Sequence, residues 1–127
     1  TLLAVKFLRA KQDLVATGFL LFAMGEAVMS SGTVLGQVEG QAAFAAGMAI
    51  YVPAFLLICI PKVFPIWVRI TGIATAIPFA IAASIIFGGG QVLSTSPLVG
   101  AAYGLLSLTI VGWIINILSK KELVPAV

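Results

Sequence analysis

Four long apolar runs alternate with short polar stretches along the chain, and they cover residues 14–36, 42–60, 66–87 and 97–118. A helix needs about 20 apolar residues to cross a hydrocarbon layer about 30 Å thick, and each run meets this length. Backbone polar groups in a bilayer must be paired within their own segment, which favours helices over open strands. The pattern predicts an all-α membrane protein. We expect one domain over residues 1–127: a compact up-down-up-down bundle of four transmembrane helices with short loops.

Composition supports this interpretation. Of the 127 residues, 61% are hydrophobic and only 9% are charged, which is far from the composition of a soluble domain. All seven Lys and Arg residues fall on one side of the four-helix layout, at positions 6, 9, 11, 62, 69, 120 and 121. The positive-inside rule therefore predicts that both termini and the middle loop are cytoplasmic. The excess of basic over acidic residues indicates contact with anionic membrane lipids, and nothing in the sequence indicates a nucleic-acid partner.

Glu26 is the one ionisable residue deep inside an apolar run. It lies about 15 Å from the outer end of its helix at 1.5 Å per residue. An acid at this depth is costly, so it is a functional candidate by default. Counting inward along the other runs places polar side chains at a similar depth, and Ser30, Thr33 and Gln37 continue the face of Glu26 outward. The predicted ligand- and proton-binding residues are Glu26, Ser30, Thr33, Tyr51, Thr75 and Ser107.

Two roles are open for Glu26. A carboxyl group surrounded by hydrocarbon is more stable as the neutral acid than as the anion. In one role it stays neutral and stabilises the bundle by a hydrogen bond to Tyr51, a serine or a backbone carbonyl. In the other it exchanges a proton with the outer side along the face of Ser30, Thr33 and Gln37, and this exchange drives the movement of a cargo.

Small residues recur at helical spacing in every run. They let helix backbones approach closely in lipid, where no hydrophobic force holds helices together. The residues predicted to pack helices are Gly32, Gly36, Gly47, Gly72, Gly100 and Gly104. The same stripes can serve a second copy of the chain or a larger membrane complex, and the sequence leaves this open.

Several kinds of chemistry find no support in the sequence. There is no histidine, which disfavours haem and histidine-based metal sites, so we expect no cofactor and no metal. The four acids lie at different depths, so no two carboxylates are expected to share a site. We therefore expect that the protein is not an enzyme.

The layout of four spans with one acid in the first span resembles the small multidrug resistance transporters. The stretch Ala23-Met24-Gly25-Glu26, Tyr51 in the second span and the ending Ile114 to Lys120 carry this resemblance. It implies that Glu26 carries protons in exchange for a hydrophobic cation.

The segments 16–33 and 61–72 look more like an uncharacterised group of small bacterial four-span inner-membrane proteins. This resemblance implies a bacterial inner-membrane location and brings no activity with it. Our leading hypothesis is a protein that binds or transports a small lipophilic solute, with proton coupling through Glu26. The alternative is a non-catalytic accessory or assembly subunit that associates with another membrane protein through Gly and Ala helix faces.

Overall fold

The computed structural model of the protein describes residues 2–36 and 38–119, and this part of the chain is all-helical. The helices are α1 (Leu2–Arg9), α2 (Asp13–Leu35), α3 (Gln41–Cys59), α4 (Ile66–Phe87) and α5 (Pro97–Ser119). The last four are long and apolar enough to cross a membrane, which indicates an integral membrane protein. Their bounds lie within one residue of the predicted runs. The predictions for Gln37, Lys120 and Lys121 lie outside the described residues.

Local sequence explains where these helices begin and end. At the start of α5, the backbone N–H of Val99 donates to Ser96 Oγ at 3.4 Å, which caps the helix, and Pro97 occupies the first helical position. At the end of α2, Gly36 has a φ of 93°, a conformation that glycine adopts without a steric penalty. At the end of α3, Arg69 donates from Nε to Cys59 O at 2.7 Å and from Nη2 to Ile60 O at 2.9 Å. A cation thus satisfies carbonyls at the negative end of that helix.

Each helix packs mainly on its neighbour in sequence: α1 on α2, α2 on α3, α3 on α4 and α4 on α5. The contacts between α2 and α3 depend on three glycines spaced seven residues apart. A Cβ atom at Gly18 would lie 2.9 Å from Ala54 O, one at Gly25 would lie 3.1 Å from Gly47 O, and one at Gly32 would lie 2.8 Å from Gly40 O. The two backbones are therefore in close contact from Gly18 to Gly32. Their partners, Ala54 and Gly47 of α3 and Gly40 just before it, follow in the reverse order along the chain, so the two helices run in opposite directions.

The other predicted packing glycines have different surroundings. A Cβ at Gly47 would meet Met29 and the carbonyl of Gly25, and one at Gly72 would meet the Cys59 side chain. In contrast, a Cβ at Gly100 or Gly104 would have no atom within 4 Å, and both residues are exposed. The glycine pair of α5 thus lies on an outer face of the bundle.

The short helix α1 was not predicted. It buries Ala4 and Phe7 against the bundle. The Phe7 ring stacks on Phe19 at 5.4 Å and meets Phe64 edge-on at 5.8 Å. Because Phe64 belongs to the turn between α3 and α4, this packing gathers the cations of α1 and of that turn at the same end of the bundle.

We predict that Gly32→Ala lowers the free energy of unfolding by about 1–3 kcal/mol, because the new methyl group overlaps the backbone of α3. The matched control is Gly100→Ala, which has open space and gains up to about 1 kcal/mol from the better helix propensity of alanine. Unfolding of the detergent-solubilised protein, followed by fluorescence, measures both values. Equal effects of the two substitutions would contradict the close approach of α2 and α3.

Candidate functional site

Glu26 and Tyr51 lie together in the contact between α2 and α3. Tyr51 Oη donates a hydrogen bond to Glu26 Oε1, and this is the one hydrogen bond that Glu26 makes among the described residues. Tyr51 is fully buried, whereas Glu26 is partly buried. A Cβ at Gly25 would lie 2.8 Å from two carbons of the Tyr51 ring. Glycine at this position therefore lets the ring rest against α2 beside the carboxyl group.

Aromatic rings fix the position of Tyr51. Phe22 stacks on it with ring centroids 4.8 Å apart, and Phe79 meets it edge-on at 4.9 Å. Trp113 meets Phe22 edge-on at 5.8 Å and Phe19 at 5.0 Å. Offset and edge-on ring pairs of this kind contribute about 0.5–1.5 kcal/mol each beyond their buried area. The phenol that holds Glu26 thus has few orientations available.

A cavity separates α2 from α5, and we call it the α2–α5 cavity. No Cα atom of α2 lies within 8 Å of a Cα atom of α5. The cavity has a volume of about 650 Å³, is open rather than enclosed, and has mostly apolar walls. Its lining comprises Leu2 and Leu3 of α1, Phe19, Phe22, Ala23 and Glu26 of α2, and Ile110 and Trp113 of α5. This volume is typical of small-molecule sites.

The predicted residues Thr75 and Ser107 have other surroundings. Thr75 is buried between α4 and α5, where its Oγ1 lies 3.3 Å from Thr109 Oγ1 and donates to Thr71 O at 2.7 Å. Ser107 is exposed and donates to Tyr103 O at 2.8 Å. On α5 it is therefore Thr109, rather than Ser107, that turns its hydroxyl into the bundle.

Ser30 and Thr33 are both exposed, and Thr33 Oγ1 donates to Ser30 O at 2.7 Å. Thr33 also lines a second cavity of about 250 Å³ at the far end of α2. Beside it, Gln41 Nε2 donates to Val92 O at 3.1 Å, and Val92 N donates to Gln41 Oε1 at 3.4 Å. The hydroxyl groups of Ser30 and Thr33 therefore lie on the exposed surface of α2, between Glu26 and the second cavity.

Three residues around this site were not among the predicted site residues: Phe22, Tyr103 and Trp113. The rule that residues three or four apart share a helix face identifies Phe22, which precedes Glu26 by four. It also identifies Met29, whose Sδ accepts from Tyr103 Oη at 3.8 Å. The predicted polar face contained only residues that follow Glu26 in the sequence. The residues that precede Glu26 on α2, Phe19, Phe22 and Ala23, form part of the cavity wall.

No group of three or more His, Cys, Asp or Glu that could hold a metal ion occurs among the described residues. Cys59 is a free, buried thiol. The side chains that line the α2–α5 cavity are apolar or aromatic, apart from the carboxyl group of Glu26.

The sequence matches no known family model, and the comparisons with curated proteins and with solved structures find no similar protein. The resemblance to small multidrug resistance transporters and to small bacterial inner-membrane proteins therefore stays a prediction.

We predict that Tyr51→Phe lowers the free energy of unfolding by about 1–3 kcal/mol, because it keeps the ring and leaves a partly buried carboxyl group without its donor. The infrared carboxyl band that disappears in Glu26→Gln should also shift in Tyr51→Phe. Tyr103→Phe is the matched control, since within residues 2–36 and 38–119 the Tyr103 hydroxyl bonds only to the Met29 sulfur, at 3.8 Å. A Tyr51→Phe variant as stable as this control, with an unshifted band, would contradict the hydrogen bond.

Proposed function

We propose that the protein binds a small lipophilic solute in the α2–α5 cavity and transports it, with proton coupling through Glu26. The observation that carries this proposal is the placement of one carboxyl group in the wall of an otherwise apolar cavity. Because the cavity is open and two of the helices that line it are long enough to cross a membrane, we propose that a lipophile reaches it from within the bilayer.

The proposed coupling depends on water. When the cavity holds water, Glu26 exchanges its proton. When an apolar solute replaces that water, the charged carboxylate loses its solvation and the neutral acid is favoured. The bond from Tyr51 holds the carboxyl group at the cavity wall in both states. Solute occupancy and proton occupancy at Glu26 are thereby linked, which is the requirement for coupled transport.

The orientation that we propose follows from charge. In the described part of the chain, Lys6, Arg9, Lys11 and Lys62 lie on or next to α1 and the α3–α4 turn, which Phe7 and Phe64 bring together. Under the positive-inside rule this end is cytoplasmic, in a bacterial inner membrane. The cavity, which Leu2 and Leu3 line from α1, then lies in the cytoplasmic half of the bundle.

Reconstituted vesicles that contain a pH-sensitive dye test the coupling. Addition of a lipophilic probe such as Nile red should move protons through the wild type and not through Glu26→Gln. Glu26→Gln should still bind the probe, because an amide oxygen still accepts from Tyr51. The matched control, Asp13→Asn, removes the other acid of α2, which does not line the cavity, and should behave as the wild type. Equal proton movement in Glu26→Gln and the wild type would refute the coupling.

A second function has one observation in its favour. Gly100 and Gly104 form a small-residue pair on an exposed face of α5, and a Cβ at either position would meet nothing within 4 Å. Such pairs let helix backbones of separate chains approach closely in a membrane. The alternative proposal is therefore an accessory or assembly subunit that binds a second copy or another membrane protein through this face.

Bulk added to this face tests the alternative. Gly100→Leu and Gly104→Leu should dissociate a homo-oligomer that uses it, which energy transfer between labelled copies in lipid bilayers measures. Ala42→Leu adds similar bulk at an exposed position of α3 and serves as the control. Unchanged energy transfer in all three variants would exclude this face as the contact between copies.

A further inference from the structure

Arg69, near the start of α4, uses only one edge of its guanidinium group to hold the end of α3. Nε donates to Cys59 O at 2.7 Å, and Nη2 donates to Ile60 O at 2.9 Å. These two bonds fix the plane of the group and leave the other edge, formed by Nη1 and Nη2, with N–H donors to spare. Nη1 has no hydrogen-bond partner within residues 2–36 and 38–119, and it is not a buried atom. This second edge is therefore open to a partner from outside the chain.

The same end of the bundle carries an excess of positive charge. Its described acid is Asp13, and its described cations are Lys6, Arg9, Lys11, Lys62 and Arg69. None of these cations forms an ion pair within the described residues. Lys62 is exposed and follows Ile60, whose carbonyl Arg69 holds, by two residues, which span at most about 7 Å. An anion at the open edge of Arg69 is thus within reach of the flexible Lys62 side chain.

An apolar stripe on α4 begins beside Arg69. It consists of exposed isoleucines at positions 66, 70, 73 and 77, which we call the isoleucine stripe. Residues three or four apart are neighbours on a helix surface, so these side chains share one face and Arg69 lies next to Ile66 and Ile73. The stripe rises about 16.5 Å at 1.5 Å per residue, which is close to half of a hydrocarbon layer about 30 Å thick. The cation and the stripe thus match the dimensions of one lipid leaflet.

We propose that this end of the bundle binds an anionic phospholipid. Its phosphate binds the open edge of Arg69 and the ammonium group of Lys62, and an acyl chain lies along the isoleucine stripe. A guanidinium edge suits a phosphate because two N–H groups donate to two of its oxygens. A zwitterionic lipid carries a cation of its own beside the phosphate, which the surrounding Lys and Arg residues repel. The site therefore favours a head group with a net negative charge.

Two further observations fit this placement. Trp67 is exposed in the first turn of α4, and indole rings favour the level of the lipid head groups. Arg69, Lys62 and the isoleucine stripe do not line the α2–α5 cavity. The phospholipid site is thus separate from the proposed solute site, and it does not depend on transport.

Native mass spectrometry of the full-length protein in detergent tests the proposal. The probes are phosphatidylglycerol and phosphatidylcholine with identical acyl chains, supplied in equal amounts. The wild type should retain more phosphatidylglycerol. Arg69→Lys should lower this preference about tenfold, the value of one hydrogen bond to a charged group, because an ammonium group cannot present two edges. Arg9→Lys makes the same change at an exposed residue of the same end and should keep the wild-type preference.

A second pair of variants leaves the bonds between Arg69 and α3 in place, so it tests the site even if Arg69→Lys does not fold. Lys62→Gln should lower the preference for phosphatidylglycerol about threefold, and Arg9→Gln, which also removes one exposed charge, should leave it unchanged. Equal losses within either pair would show diffuse attraction to the positive end and refute the site. A wild type that retains both lipids equally would also refute it.

A soluble competitor separates the lipid from its head group. Glycerophosphoglycerol carries the head group of phosphatidylglycerol without acyl chains, and an excess of it should not displace the lipid from the wild type. Displacement at the same concentration as the lipid would show that the phosphate alone is recognised. The contact between an acyl chain and the isoleucine stripe, and with it the phospholipid proposal, would then be wrong.

Discussion

The contact between the backbones of α2 and α3 determines the rest of the structure. Without a hydrophobic force between helices in lipid, close approach through small residues is the main source of packing energy. Gly18, Gly25 and Gly32 provide this approach over most of α2. The approach places the Tyr51 ring against Gly25 and so beside Glu26. It also holds α2 close to α3 and leaves it farther from α5, with no Cα atoms of the two helices within 8 Å.

The space between α2 and α5 is filled unevenly. At the α1 end, Phe19, Phe22 and Trp113 span it with ring contacts of 5.0 to 5.8 Å. Toward Glu26 the facing residues include Ala23 and Ile110, and the space remains as part of the cavity. The hydrogen bond of Glu26 and the cavity beside it are therefore two consequences of one packing arrangement. A substitution that separates α2 from α3 is expected to affect both.

Counting residues along each helix predicted well how deep a side chain lies in the bundle. It predicted poorly which way that side chain faces around the helix axis. The helix bounds follow from the apolar runs, and Tyr51 meets Glu26 because the rise per residue is nearly constant. Which side of a helix faces inward depends on its neighbours, so the sequence could not separate Ser107 from Thr109, or the buried Gly32 from the exposed Gly100. Helix α1 escaped prediction because eight residues are too few to span a membrane, and isolated helices of this length are unstable in water. Its packing through Phe7 depends on the tertiary structure.

The proposed coupling suits a neutral solute better than a cation. Exchange of a cation requires the solute to pair with the carboxylate itself. Here the oxygen Oε1 of Glu26 already accepts from Tyr51, and the cavity beside it is mostly apolar. In the coupling that we propose, an uncharged body that fills the cavity acts on Glu26 by removing water, since desolvation penalises the charged form alone. The proposal thus gives recognition of the solute to the apolar walls of the cavity and the response to Glu26, so removal of the acid should leave recognition intact.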